Sequence, residues 1–184
     1  MKREDALNLL HEYISNPRMI AHCLASEAVM RKLALHLGED EARWGLAGLL
    51  HDLDVEMTAD RPDQHGLLTA RILEEKGFDP GIIDAIRMHN EMATGQERTT
   101  RFQHALAAGE TITGLITATA LVYPDKQVRS VKPSSVVKRM KEKAFAASVN
   151  RDHILECTLI GIPLPEFAQL AVEAMQERAE EIGL

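Results

Sequence analysis

The sequence of 184 residues is poor in aromatic side chains, with four Phe, two Tyr and one Trp amounting to 4%. A core built without them must be filled by aliphatic groups, and the abundant Ala and Leu suit helices better than sheets. Cysteine is scarce as well. Cys23 and Cys157 lie far apart and form no CxxC pair, which argues against a disulfide framework or a thiolate zinc site and makes a reducing cytoplasm the simplest setting. No apolar run approaches the roughly 20 residues that a membrane span needs. The opening MKREDALNLLHEYI is charged and amphipathic, unlike a basic stretch followed by an apolar block, so neither a targeting segment nor membrane contact is expected. Positive charge is not in excess either. A formal net charge of -7 argues against the broad cationic face of a general nucleic-acid binder, while leaving room for a small anionic ligand held by a local cationic site. There is no repeat, no low-complexity tract and no alternating run that reads as a strand.

What is present is helical punctuation. With 45% hydrophobic residues the chain is long enough to bury a core of its own, and the expectation is one all-α domain over residues 1–184. Its core should lie at about 17–123, with C-terminal helices at 134–182 packed on it. Leu7, Leu10 and Ile14 recur at helical spacing, and Asn16-Pro17 then supplies an N-cap and a first helical residue for a segment reaching Leu37, which Gly38 ends. Glu39–Asp52 and His65–Lys76 read as the next helices, and Asp79-Pro80 opens another that reaches His89. Thr100-Arg-Phe-Gln103 has the form of a capping box for a long helix to about Tyr123. Ser134–Ala147, Arg151–Ile160 and Glu166–Ile182 complete the set.

The eight histidines are of interest for where several of them fall. His22 shares a helix face with Ser26, Val29 and Leu33, and so points inward. His51-Asp52 follows the apolar run Leu46-Ala47-Gly48-Leu49-Leu50, in which Ala47 and Gly48 leave space one turn behind. Burying an imidazole and a carboxylate there is costly unless a partner compensates, and a cation would compensate both. His89 lies on the stripe of Ile82 and Ile86, and His65 opens its helix where it can turn back toward a cleft. A set of satisfied core histidines is the bland account. A shared cation accounts better for inward polar residues on four separate helices. Cys23 and the lone Trp44 read as packed core.

The order His22, then Leu49-Leu50-His51-Asp52, then a later acid resembles the HD-domain superfamily of metal-dependent phosphohydrolases, which is all-helical. The resemblance covers roughly Met19 to Val122. It implies His22, His51 and Asp52 as metal ligands, with the distal acid at Glu110 in Ala107-Ala108-Gly109-Glu110, where the family has Asp. His65-Gly66 and His89 in the interval are similar to a branch with two added histidines and two metals; there Asp52 would bridge the ions, with His22 and His51 on one and His65 and His89 on the other. The family's His-Asp-Ile-Gly-Lys continuation is here His51-Asp52-Leu53-Asp54-Val55, and the Gly-Tyr-Pro marker of cyclic-dinucleotide relatives is absent.

Imidazole and carboxylate ligands suit one or two divalent ions, with iron or manganese expected by resemblance and zinc, nickel and cobalt open. Such an ion lowers the pKa of bound water toward about 7 and yields a hydroxide that can attack a phosphate ester or a nucleotide phosphoanhydride. The expected partner is thus a small phosphorylated molecule, with a nucleotide foremost. Asp54 and Glu56 are close enough to orient a ligand or act as acid or base, or they are loop carboxylates facing solvent. Arg18, one turn before His22, is a candidate for the substrate phosphate. Lys132, Lys141 and Arg151 belong to a cationic stretch that either grips phosphate or is a solvated helix face. A catalytically silent HD-like metal-binding or nucleotide-binding regulatory module, and a purely structural bundle, stand as alternatives.

Overall fold

Side chains that satisfy the free N–H groups of a first turn set the helix starts. Asn16 accepts from the backbone N–H of Arg18, Asp40 from Arg43, Asp79 from Gly81 and Ile82, and Thr100 from Gln103. A computed structural model describes residues 2–184, and among them no strand occurs. The helices are α1 (Arg3–Tyr13), α2 (Pro17–Leu37), α3 (Glu41–Leu50), α4 (Leu67–Glu75), α5 (Pro80–His89), α6 (Glu91–Thr94), α7 (Arg101–Leu121), α8 (Pro133–Arg139), α9 (Arg151–Leu155), α10 (Leu164–Glu177) and α11 (Ala179–Ile182). Short 3-10 turns lie at Val128–Ser130 and Glu156–Thr158.

Two 21-residue helices, α2 and α7, each about 30 Å long, form the axis of the bundle. Both are buried over much of their circumference, as expected of helices without a narrow apolar stripe. They pack on each other, α3 and α10 lie against α2, and α5 and α9 lie against α7. One apolar core runs from Ala6 and Leu10 of α1 to Ile182 of α11. Trp44 is buried in it, with its ring stacked on Phe102 at 5.1 Å. No helix is long and apolar enough to cross a membrane among the described residues.

The helical spans depart from the periodic pattern in five places. The helix expected over Glu39–Asp52 stops at Leu50 with His51 as its C-cap, and the chain then turns through Asp54 to Thr58. His65 precedes its helix, since Gly66 is the N-cap of α4. Gly66 sits at φ 85, and a Cβ there would meet His89 Cε1 at 3.0 Å, so glycine lets the chain turn there and brings His65 against His89. The helix expected over Ser134–Ala147 ends at Arg139. Arg151 is the reason: its guanidinium donates to the carbonyls of Ala146 and Val149 at 2.6 and 2.7 Å, and also to those of Phe145 and Glu142, drawing them out of helical pairing. The last two expected helices are each interrupted, at the 3-10 turn after Leu155 and at Arg178.

Candidate metal centre

Four imidazoles meet around one carboxylate. From α2, His22 Nε2 lies 3.1 Å from His51 Nε2 and 3.6 Å from Asp52 Oδ2. His51 Nε2 is 3.3 Å from Asp52 Oδ1. From the other side, His65 Nε2 and His89 Nε2 lie 3.2 and 3.5 Å from Asp52 Oδ1, and 3.2 Å from each other. The result is two groups, His22, His51 and Asp52, and Asp52, His65 and His89, that share Asp52; within each, the ligand atoms are within 4.8 Å of one another.

Every one of these rings has its other nitrogen engaged. His51 Nδ1–H donates to the Gly48 carbonyl at 2.8 Å, and His89 Nδ1–H to that of Ile86 at 2.5 Å. His65 Nδ1–H donates to Asp54 Oδ1 at 2.8 Å. The Thr113 hydroxyl, which donates to the Glu110 carbonyl at 2.6 Å, accepts the Nδ1–H of His22 at 3.0 Å. Holding the proton on Nδ1 leaves each Nε2 as an inward lone pair, the tautomer in which imidazole binds a metal. Lone pairs facing one another at 3.1 and 3.2 Å repel unless a cation or a proton lies between them. The donor set, nitrogen and carboxylate oxygen without thiolate, therefore fits divalent ions.

The electrostatics agree. Burial drives the His51 imidazole down to about 3, so it is neutral. Burial opposes ionisation of Asp52 too, yet His51, His65, His89 and His22 hold its carboxyl well below the usual range. At His65 burial is outweighed by Asp52 and Asp54, which raise the imidazolium to about 10. Without a metal, a proton on His65 thus balances the carboxylates; a divalent ion supplies positive charge in its place. Burial pushes the Cys23 thiol up, and Asp52 adds to it; Cys23 belongs to neither ligand group.

The remaining candidates fall in different places. Asp54 is fully buried. Besides His65 it accepts the backbone N–H groups of Gly66 and Thr69 at 2.8 and 2.9 Å, so both oxygens are engaged and it orients His65. Glu110 Oε2 is 3.8 Å from His22 Nε2, outside the tighter group, and burial raises its carboxyl pKa. Arg18 is exposed and lines a cleft of about 680 Å³ that begins at His22. Glu56 does not face the centre: its carboxylate accepts from the Ser15 and Asn16 N–H groups at 2.9 and 2.7 Å and from the Ser15 hydroxyl. The turn from Asp54 to Thr58 carries it to the α1–α2 linker. Lys132 and Lys141 line neither of the clefts that adjoin His22, and the Arg151 guanidinium is committed to the carbonyls already described. Gly48 also has a use other than room for an ion. A Cβ there would lie 2.5 Å from the Ser26 carbonyl oxygen, so its missing side chain admits the backbone of α2.

Residues not singled out from sequence complete the surroundings. Thr113 and Thr69 are buried polar groups one helical turn from Glu110 and His65, a readable signal; the Gly48 and Ile86 carbonyls carry none. His153, its Nε2 3.3 Å from Glu91 Oε1, shares a second cleft of about 290 Å³ with His22, Glu110 and Asn150.

Comparison with known proteins agrees with this geometry. A curated relative, Ribonuclease Y of Sulfurovum sp. (strain NBC37-1), is 26% identical over 137 residues, 72% of this chain. The chain spans about a quarter (26%) of that relative's length. No solved structure matches significantly. The HD domain family matches residues 19–122, more than half of the chain and a span that encloses His22, His51, Asp52, His65, His89 and Glu110. This protein belongs to the HD domain family.

Proposed function

We propose that this protein is a metal-dependent phosphohydrolase that cleaves a phosphate ester or phosphoanhydride of a small molecule. The observation that carries this reading is the arrangement of four Nε2 lone pairs around Asp52, with every Nδ1–H engaged. His22 and His51 would hold one ion and His65 and His89 a second, with Asp52 between them; iron or manganese suits these ligands. Glu110, 3.8 Å from His22 Nε2, would add a further carboxylate to the first set. A bound ion supplies an acidified water and charge neutralisation at phosphoryl oxygens.

The protein's own part is to hold that set rigid and leave one side open. Thr113, Asp54 and the Gly48 and Ile86 carbonyls lock ring orientation. His22 and His65 remain 22% exposed while Asp52 is 8% exposed, so a phosphate can approach from their side and water is kept from the other. Arg18, on the cleft that starts at His22, offers a cation for a phosphoryl oxygen. Ribonuclease Y is named for action on RNA, whose linkages are phosphate esters. A net charge of -7 favours a small substrate over a long polyanion.

The test is elemental analysis of protein purified without added metal or an affinity tag, followed by assay of wild type and Asp52→Asn on phosphomonoesters, nucleotides and dinucleoside polyphosphates. Bound metal, turnover, and loss of both in the variant are expected. Metal-free protein with a melting temperature indifferent to chelators would refute the centre. Metal without turnover of any substrate would leave a regulatory HD module instead, the reading that Glu110 and the missing lysine favour.

A further inference from the structure

Beyond His22 the facing surfaces of α2 and α7 carry small residues, Ala21 on one and Gly114 and Ala118 on the other, and between them lies the cleft of about 680 Å³. Its volume is that of a small-molecule site. Leu121 and Ile182 help to close it, and its walls are mainly apolar, with Thr117, His22, Arg18 and the backbone of Gly183 as their polar parts. His22 and Gly114 also line the smaller cleft that includes Glu110, so the two clefts adjoin at the candidate ligand.

We propose that this cleft binds the organic group of the substrate, and that the group is apolar, an alkyl or aryl moiety rather than a sugar or a base recognised by its edge. The proposal rests on the phosphohydrolase reading for the place of the phosphate, and on the cleft itself for the rest. A ligand with its phosphoryl group against His22 has this space directly beside it. A sugar or a base edge would bury several hydroxyl or amide groups, and with His22 and Arg18 given to the phosphate, Thr117 is the one side chain left to answer them, a cost an apolar group does not incur.

Gly114 supplies a second, independent argument. Glycine in a helix interior is destabilising relative to alanine, and at Gly48 the fold requires it. At Gly114 a Cβ would meet only Val149 Cγ2, at 3.3 Å, and the backbone is not left-handed. Glycine there lets Val149 pack close and leaves both clefts, which it lines, without a side chain at that point. Leu121, 52% exposed at the rim, is an apolar surface that such a ligand would cover.

Alkylphosphonates of increasing chain length test the cleft without a hydrolysis step, with affinity measured by calorimetry on the metal-loaded protein. Affinity is expected to rise about fourfold per buried methylene until the space is filled. Ala118→Phe should flatten that dependence, and Leu121→Asn, at an exposed position that folding tolerates, should reduce the advantage of the longest chain. Affinity independent of chain length, a rise that survives both substitutions, or no binding of octylphosphonate at millimolar concentration would each overturn the proposal. Failure of the hydrolase reading would look different: no turnover of any ester, with the binding series intact.

Discussion

Thr113 holds His22 in register with the other imidazoles, its hydroxyl accepting the ring's Nδ1–H at 3.0 Å while donating to the carbonyl of Glu110 at 2.6 Å. The second bond fixes which way the hydroxyl proton points, and so which His22 nitrogen carries its own. Thr113→Val keeps the shape and removes the acceptor. Metal affinity, measured by competition with a chelating dye, is expected to fall about 10–100-fold, the usual effect of losing such a support, with helix content unchanged. Thr113→Ser should restore most of it. Affinity unchanged in the valine variant would remove His22 from the ligand set.

Gly48 couples the packing of α2 and α3 to the position of His51. A Cβ at residue 48 would lie 2.5 Å from the Ser26 carbonyl oxygen and 2.9 Å from the Glu27 nitrogen. Both are backbone atoms, so relief requires the helices to separate. Gly48→Ala is expected to cost about 1–3 kcal/mol, lowering the melting temperature by some 2–4 °C per kcal/mol in a chain of this size. Because His51 donates to the carbonyl of the same residue, metal content should fall as well. A variant as stable as wild type would show that the contact relaxes freely.

These two residues mark the limit of what the sequence reveals. Caps such as Asn16-Pro17, Asp79-Pro80 and Thr100–Gln103 are legible because they act on their own first turn, and the helices they open begin there. The inward direction of His22 and His89 follows from helical periodicity alone. By contrast, the acceptors that orient His51 and His89 are the carbonyls of Gly48 and Ile86, groups that every residue has. Glu56 is two residues from Asp54, yet a tight turn sends the two carboxylates to different neighbours, Asn16 and His65. Arg151 reads as part of a charge run, but its role is set by carbonyls two to nine positions earlier in the chain.

Arg98 ties the far end of the His89 helix to the C-terminal part of the chain. Its side chain is 3% exposed, pairs with Glu156 at 2.5 Å, and donates to the carbonyls of Met88 and His89 at 3.0 and 3.3 Å. Arg98→Met leaves Glu156, itself 15% exposed, without its main counter-charge. The expected cost is about 3–5 kcal/mol, typical of breaking one side of a buried pair, measured by urea denaturation. Adding Glu156→Gln should recover part of that loss, since the orphaned charge goes with it. If the single variant loses less than the double, the pair is not what stabilises this corner.

Glu156 gives the fold a defined acid sensitivity. Burial alone would raise its carboxyl pKa, but Arg98 and His104, the latter 2.7 Å away, lower it below the ordinary value of 4.5. A carboxylate whose pKa is lower in the folded than in the unfolded chain contributes stability that is present above the unfolded value and lost as pH falls through the folded one. Wild type should therefore exceed Glu156→Gln in stability above pH 4.5, and that margin should shrink as pH falls below it. Asp79 and Glu181 are depressed in the same sense, but they are common to both proteins and cancel in the difference. Denaturation of the two proteins across the acid range measures the margin directly. A difference that grows toward low pH would mean that Glu156 is held protonated in the folded chain, and the ion pair with Arg98 would have to be abandoned.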